Sequence, residues 1–131
     1  MIEQSEALRI LVAACPSFAD ALREHEAEQG ENLAYVAAGA FARHLLALHQ
    51  ESNVSTFPSV AAAIERLHTE GSPWVQEFAT IGVLEAVQNV WSNNNSNPEH
   101  FARFLLPESR RWWEGLKNFW SGQVAYVASD A

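Results

Sequence analysis

Leu33-Ala34-Tyr35-Val36-Ala37-Ala38-Gly39-Ala40-Phe41-Ala42-Arg43-His44-Leu45-Leu46-Ala47-Leu48-His49-Gln50 is the stretch on which the fold turns. Leu33, Val36, Ala37, Ala40, Phe41, His44 and Leu48 recur every three to four positions. That is the spacing of a helix burying one face. The run Ala37-Ala38-Gly39-Ala40 carries little bulk, so another helix can approach closely there. Asn32, just before, is an N-cap residue type. A long central helix over 33–50 is therefore expected.

The same periodicity extends in both directions. Toward the N-terminus, Leu8, Leu11, Val12 and Cys15 predict a helix over 2–15, stopped by Pro16. A second helix follows over 18–29, with Ser17 and Asp20 in a capping-box pattern and Gly30 at its end. Toward the C-terminus, 51–57 reads as a loop. Val60, Ile64 and Leu67 then place a fourth helix over 58–70, ended by Gly71. Ser72-Pro73 is a cap followed by proline at the first helical position. It starts a fifth helix reaching to about 91, apolar on two faces: Trp74, Phe78 and Ile81 on one, Val75, Val83, Val87 and Val90 on the other. A helix apolar on most sides is buried. After the polar turn 93–97, a sixth helix is expected over 98–106 and a seventh over 108–120, the latter striped by Trp112, Trp113, Leu116, Phe119 and Trp120. The tail 123–131 has no clear pattern. The expected fold is all-α: one domain over 1–131, a bundle of six or seven antiparallel-packed helices with the third and fifth central.

Composition narrows the function classes. The 131 residues, 48% of them hydrophobic, can build a core without a disulfide or metal. The single Cys15 cannot form an intramolecular disulfide, which suits a cytoplasmic protein. Sixteen acids against eight bases leave a net charge of −8. Such a chain repels phosphate backbones and anionic lipid, so neither nucleic acid nor membrane is expected as a partner, and a cationic protein is favoured. The longest apolar stretch, 33–42, is about half of what a bilayer needs. Val12-Ala13-Ala14-Cys15 imitates a lipoprotein cleavage site, but Glu3, Glu6 and Arg9 precede it where a basic, then apolar, leader belongs.

No catalytic motif emerges. There is neither a nucleophile elbow nor a glycine-rich phosphate loop. Glu65 and His68 have the Glu-x-x-His spacing of carboxylate-bridged metal bundles, but such sites need two copies plus two further inward glutamates. No metal and no cofactor are expected. His44 reads as a hydrogen-bonded core histidine. Glu85, mid-helix, projects near Trp74, Phe78 and Ile81; pairing with an arginine or plain exposure is the simple expectation, a general acid/base role the sharper one.

Two features point to a contact surface. Asp20, Glu24 and Glu28 lie at i, i+4, i+8 on one helix face, with Glu31 just beyond. Like charges so spaced repel, and a cationic partner would relieve them; a simply solvated face is the plainer reading. Trp112 and Trp113 point about 100° apart on a helix, so both rings cannot be equally buried. One of them, beside Arg110 and Arg111, is a candidate anchor, with core or edge-of-core packing as the plainer reading. The candidate partner-binding residues are thus Asp20, Glu24, Glu28, Glu31, Trp112 and Trp113.

The stretch Leu105-Leu106-Pro107-Glu108-Ser109-Arg110-Arg111-Trp112-Trp113-Glu114-Gly115-Leu116-Lys117-Asn118-Phe119-Trp120 resembles the ending of a family of small, uncharacterised helical bacterial proteins with a Leu-x-Pro-x-Ser-x-x-Trp-Trp turn and helix. The resemblance covers about the last quarter of the chain and brings no catalytic residues. It implies a toxin-immunity role, in which the chain neutralises a cognate toxin by covering a basic surface. The alternatives are a homodimeric adaptor module and, behind it, a small-ligand binder or enzyme with a pocket between the third and fifth helices near Glu85, His44 or Tyr35.

Overall fold

Proline, glycine and extended residues cut the chain into helices close to where the pattern places them. The computed structural model describes residues 1–31, 33–122 and 127–129. Its helices are α1 (Gln4–Ala14), α2 (Phe18–Gln29), α3 (Ala34–Gln50), α4 (Phe57–Glu70), α5 (Pro73–Glu77), α6 (Glu85–Asn93), α7 (Glu99–Ala102) and α8 (Pro107–Trp120). Between α5 and α6 the chain continues without a break as a π-helix, Phe78–Leu84. The architecture is an all-α bundle, as expected. Among the described residues no helix is long and apolar enough to cross a membrane.

The centre is α3, packed against α2, the π-helical segment and α6. Ala37, Ala38, Phe41, Ala42, Leu45, Leu46 and Leu48 are its buried residues. Phe41 meets Phe18 of α2 edge-on at 4.9 Å. Buried Trp91 of α6 donates its indole N–H to the Ala42 carbonyl at 3.2 Å. Phe57 of α4 stands edge-on to Phe101 and Phe104, tying α4 to the α7 region. Full burial of each such ring is worth about 1.5–3 kcal/mol.

Several local expectations are corrected. The first helix begins at Gln4, where the Glu3 N–H donates to the Glu6 carboxylate at 3.0 Å and the Glu6 N–H to the Glu3 carbonyl at 2.9 Å. Ile2 instead buries its side chain and pairs with the α4–α5 junction: its N–H donates to the Glu70 carbonyl and its carbonyl accepts from Ser72 N–H, both at 2.8 Å. Ser17 does not cap α2; its hydroxyl lies 2.7 Å from His44 Nε2. The expected Asn32 cap lies outside the described residues, as do 123–126 and 130–131 of the tail. Leu33 and Val36 do not continue the buried stripe of α3: Leu33 precedes the helix as its N-cap residue, and both side chains are exposed.

The predicted fifth helix is one continuous path, but its middle is π rather than α. The wider turn suits a segment apolar on two faces: six of its seven residues are buried. The predicted sixth helix is short. It ends at Ala102, and tighter turns follow, with Phe104 N–H on the Phe101 carbonyl and Leu105 N–H on the Ala102 carbonyl. Leu106 is extended (φ −84°, ψ 168°), as a residue before proline must be when helix is disfavoured there. Pro107 then opens α8. The chain returns across this helix at Gly115, where any Cβ would collide with the Ala128 carbonyl.

Candidate functional site

Two groups of polar side chains bear on the sequence expectations. The first lies at the corner formed by α2 and the start of α3. Asp20, Glu24, Glu28 and Glu31 are all exposed. Asp20 is tied to Arg23 of its own helix. Glu24, Glu28 and Glu31 form no ion pair among the described residues. Glu24 and Glu28 share a shallow groove of about 320 Å³ with His25, Arg43 and His44. Immediately after Glu31 come three large apolar side chains in solvent: Leu33 (43% exposed), Tyr35 (41%) and Val36 (47%). Tyr35 stands edge-on to Trp74 at 5.9 Å and to Phe78 at 5.5 Å. Burial, then the nearby Glu77 carboxylate, raises its phenol above the ordinary value. The corner thus holds three carboxylates without an ion pair among the described residues, and three exposed apolar side chains follow them in the chain.

The second group is internal, where α4, the π-helical segment and α8 meet. Glu65 accepts three hydrogen bonds at the start of α8: from Glu108 N–H at 3.1 Å, Ser109 N–H at 2.9 Å and the Ser109 hydroxyl at 2.8 Å. It therefore acts as the cap that α8 lacks from its own N-cap residue, Leu106. Burial pushes Glu65 up, but the bonds from Ser109 and Glu108 outweigh it and hold the carboxyl below its usual range. His68, one turn on, places Nδ1 2.9 Å from Ser109 Oγ and Nε2 2.8 Å from Thr80 Oγ1. Burial pushes the imidazole down to about 4, against weaker opposition from Glu65 and Glu108. It is neutral at physiological pH.

Proton directions follow from the donor inventory. Ser109 has one hydroxyl hydrogen, and the ionised Glu65 can only accept it. His68 Nδ1–H must then donate to Ser109 Oγ, which leaves Nε2 as the acceptor for the Thr80 hydroxyl. The result is a directed chain from Thr80 through His68 and Ser109 to Glu65. It borders a cavity of about 420 Å³ between α4, α5 and α8. Pro73, Ile81, Trp112 and Val127 give the cavity its apolar walls; Gln76, Glu77 and Glu108 join His68 and Thr80 as its polar groups.

A family described as Domain of unknown function (DUF7674) matches residues 8–121. The chain belongs to the DUF7674 family. No curated protein and no solved structure matches it. The DUF7674 match takes in the Leu-x-Pro-x-Ser-x-x-Trp-Trp stretch, and the family is uncharacterised, as the sequence resemblance implied.

In this DUF7674 chain the motif residues work inside the molecule. Pro107 starts α8, Ser109 is fully buried in the proton chain, and Trp113 is fully buried. Trp113 is therefore corrected from candidate anchor to core residue; its indole N–H donates to Glu99 at 2.7 Å, and its carbonyl accepts from Gln88 Nε2 at 3.2 Å. Trp112 is half-buried, donates to Glu108 at 3.2 Å and faces the cavity. The solvent-exposed tryptophan is Trp120, at 59%.

Glu85 departs from both simple expectations. It is half-buried without an arginine partner among the described residues; burial raises its carboxyl, and a hydrogen bond from Trp120 partly offsets this. His44 is half-buried against Phe18 and bonded to Ser17. Burial lowers it, with Glu51 pulling the other way. Glu65 and His68 already serve Ser109, Glu108 and Thr80, and no group of three or more metal-ligating side chains comes together among the described residues. Sequence reading singled out Glu65 and His68 for metal spacing and Ser109 for its motif. The closure between them spans 41 to 44 residues, and Thr80, hidden in an apolar helix, carried no signal beyond being a polar residue there.

Proposed function

We propose that this DUF7674 protein is a binding protein that holds a basic partner against the α2–α3 corner, and that the partner is a bacterial toxin domain which it neutralises. The observation carrying the reading is that Glu24, Glu28 and Glu31, exposed and without an ion pair among the described residues, are followed closely along the chain by exposed Leu33, Tyr35 and Val36. An apolar centre beside matched charge is the build of a specific contact, the apolar groups supplying affinity and the charges speed and orientation. Asp20, paired with Arg23, and Trp113, buried, leave the set of contact residues. Such an immunity protein works in the cytoplasm of the cell that makes the toxin.

The test is protection. Cells expressing the chain are challenged with the toxin encoded beside its gene, using the native chain and a Glu24→Lys/Glu28→Lys variant. Survival with the native chain and its loss with a folded variant support the reading. Unchanged protection by the variant, or no adjacent toxin gene, contradicts it.

A homodimer is the second reading, favoured by the exposure of Leu33, Tyr35 and Val36. It requires the solution mass to rise with concentration and Val36→Asp to abolish that rise. A monomer mass at all concentrations ends it.

A further inference from the structure

We propose that the cavity between α4, α5 and α8 is a binding site for an organic cation, a guanidinium or primary ammonium group on a short aliphatic chain. The inference does not depend on the partner proposed for the α2–α3 corner. The argument begins with the direction of the proton chain. Because Thr80 gives its hydrogen to His68, its oxygen can only accept from anything else in the cavity. Thr80 is 4% exposed, so this acceptor is buried and fixed in orientation.

Among the described residues, every charged group on the cavity wall has the same sign. Glu77 and Glu108 both line it, and Glu77 forms no ion pair among the described residues. Glu108 is partly neutralised by Arg111 at 3.0 Å, while Glu65 adds negative charge behind the His68–Ser109 pair. Trp112 gives its N–H to Glu108, so its π-surface is what remains for a ligand. An aromatic face beside carboxylates attracts a cation. Ile81 and Pro73 offer apolar wall for a few methylene groups. A phosphate or carboxylate ligand would meet acceptors and like charge, so anions are excluded by the same geometry.

The site also sits on irregular backbone. Thr80 and Ile81 belong to the π-helical segment. Such segments are uncommon and recur at functional sites, because they re-aim side chains that a regular helix would direct elsewhere.

The shared ligand chemistry has two sources, a free small amine or a basic side chain of another protein. Isothermal titration of the full chain with agmatine, with the peptide Gly-Gly-Arg-Gly-Gly and with glutarate separates them. The proposal expects saturable one-to-one binding of agmatine, with quenching of tryptophan fluorescence, and none of glutarate. Agmatine binding alone identifies a free small cation; equal binding of the peptide identifies a protein-borne arginine. Glu77→Gln, an exposed position, should weaken binding about tenfold without unfolding the protein, and Thr80→Val should weaken it at least as much. Glu24→Gln/Glu28→Gln should leave it unchanged. No saturable binding of either cation, equal binding of glutarate, or insensitivity to Glu77→Gln would overturn the proposal.

Discussion

The α4–α8 junction and the α2–α3 corner treat their carboxylates in opposite ways. At the junction, Glu65 accepts three hydrogen bonds, and Ser109, His68 and Thr80 each have a partner. At the corner, Glu24, Glu28 and Glu31 stand in water with no ion pair among the described residues, and three exposed apolar side chains follow them in the chain. A charge that is partnered inside the molecule fixes the fold. A row of charges left to repel one another costs a little stability and is relieved only by something external. The two regions therefore separate what holds the protein together from what it presents.

The largest expected effect lies at the junction end. Trp113→Ala removes a fully buried ring and should lower unfolding free energy by about 3–5 kcal/mol in urea titration. Trp120→Ala, at an exposed position, loses chiefly the hydrogen bond to Glu85 and should cost only about 0.5–1.5 kcal/mol. Equal effects would erase the distinction between the two ends of α8.

Next comes pH. The ordinary imidazole value is 6.5, and in the fold His68 is pushed down to about 4. The unfolded chain therefore takes up this proton first. Stability from neutral His68 is complete above about pH 6.5 and is lost as pH falls through 4, by up to about 3 kcal/mol. Glu65, also depressed, adds a further loss below its ordinary value of 4.5. Urea midpoints measured from pH 7.5 to 4 should fall accordingly, and a His68→Gln variant should lose much of that slope. A flat profile for the native chain would show that the buried imidazole is not held neutral.

Glu65→Ala comes third. It leaves the Glu108 and Ser109 N–H groups without their acceptor and should cost about 1–3 kcal/mol. Glu24→Gln/Glu28→Gln is the smallest and has the opposite sign: removing an i, i+4 repulsion should raise stability by about 0.2–0.5 kcal/mol. A loss of stability on neutralising the corner would mean that those acids serve the fold after all.

The fold was legible because the bundle depends on period-3.6 burial, which single segments record. Phe41, Val60, Ile64, Leu67 and Leu116 are all buried as their stripes require. Errors came where one segment does not contain the deciding contact. Leu33 and Val36 share the α3 stripe but are left exposed at its start. Ser17 has the right type to cap α2, yet His44, 27 residues away, takes its hydroxyl. The π-helix left only an ambiguous trace, two apolar faces on one predicted helix. The acidic corner was legible because its four acids lie within twelve residues of one another. The Thr80–His68–Ser109–Glu65 chain was not, since it joins three distant segments and its members look ordinary in each. Trp112 and Trp113 show the boundary well: sequence geometry required unequal burial, and only tertiary packing decided that Trp113 is the inner ring.

The most direct test of the contrast is hydrogen exchange of the full chain, with and without the basic toxin domain proposed as its partner. If the corner is the contact, new protection concentrates over residues 24–36 while α8 exchange is unchanged. Protection concentrated on 107–120, with none over 24–36, would contradict the assignment of the α2–α3 corner as the face the protein presents.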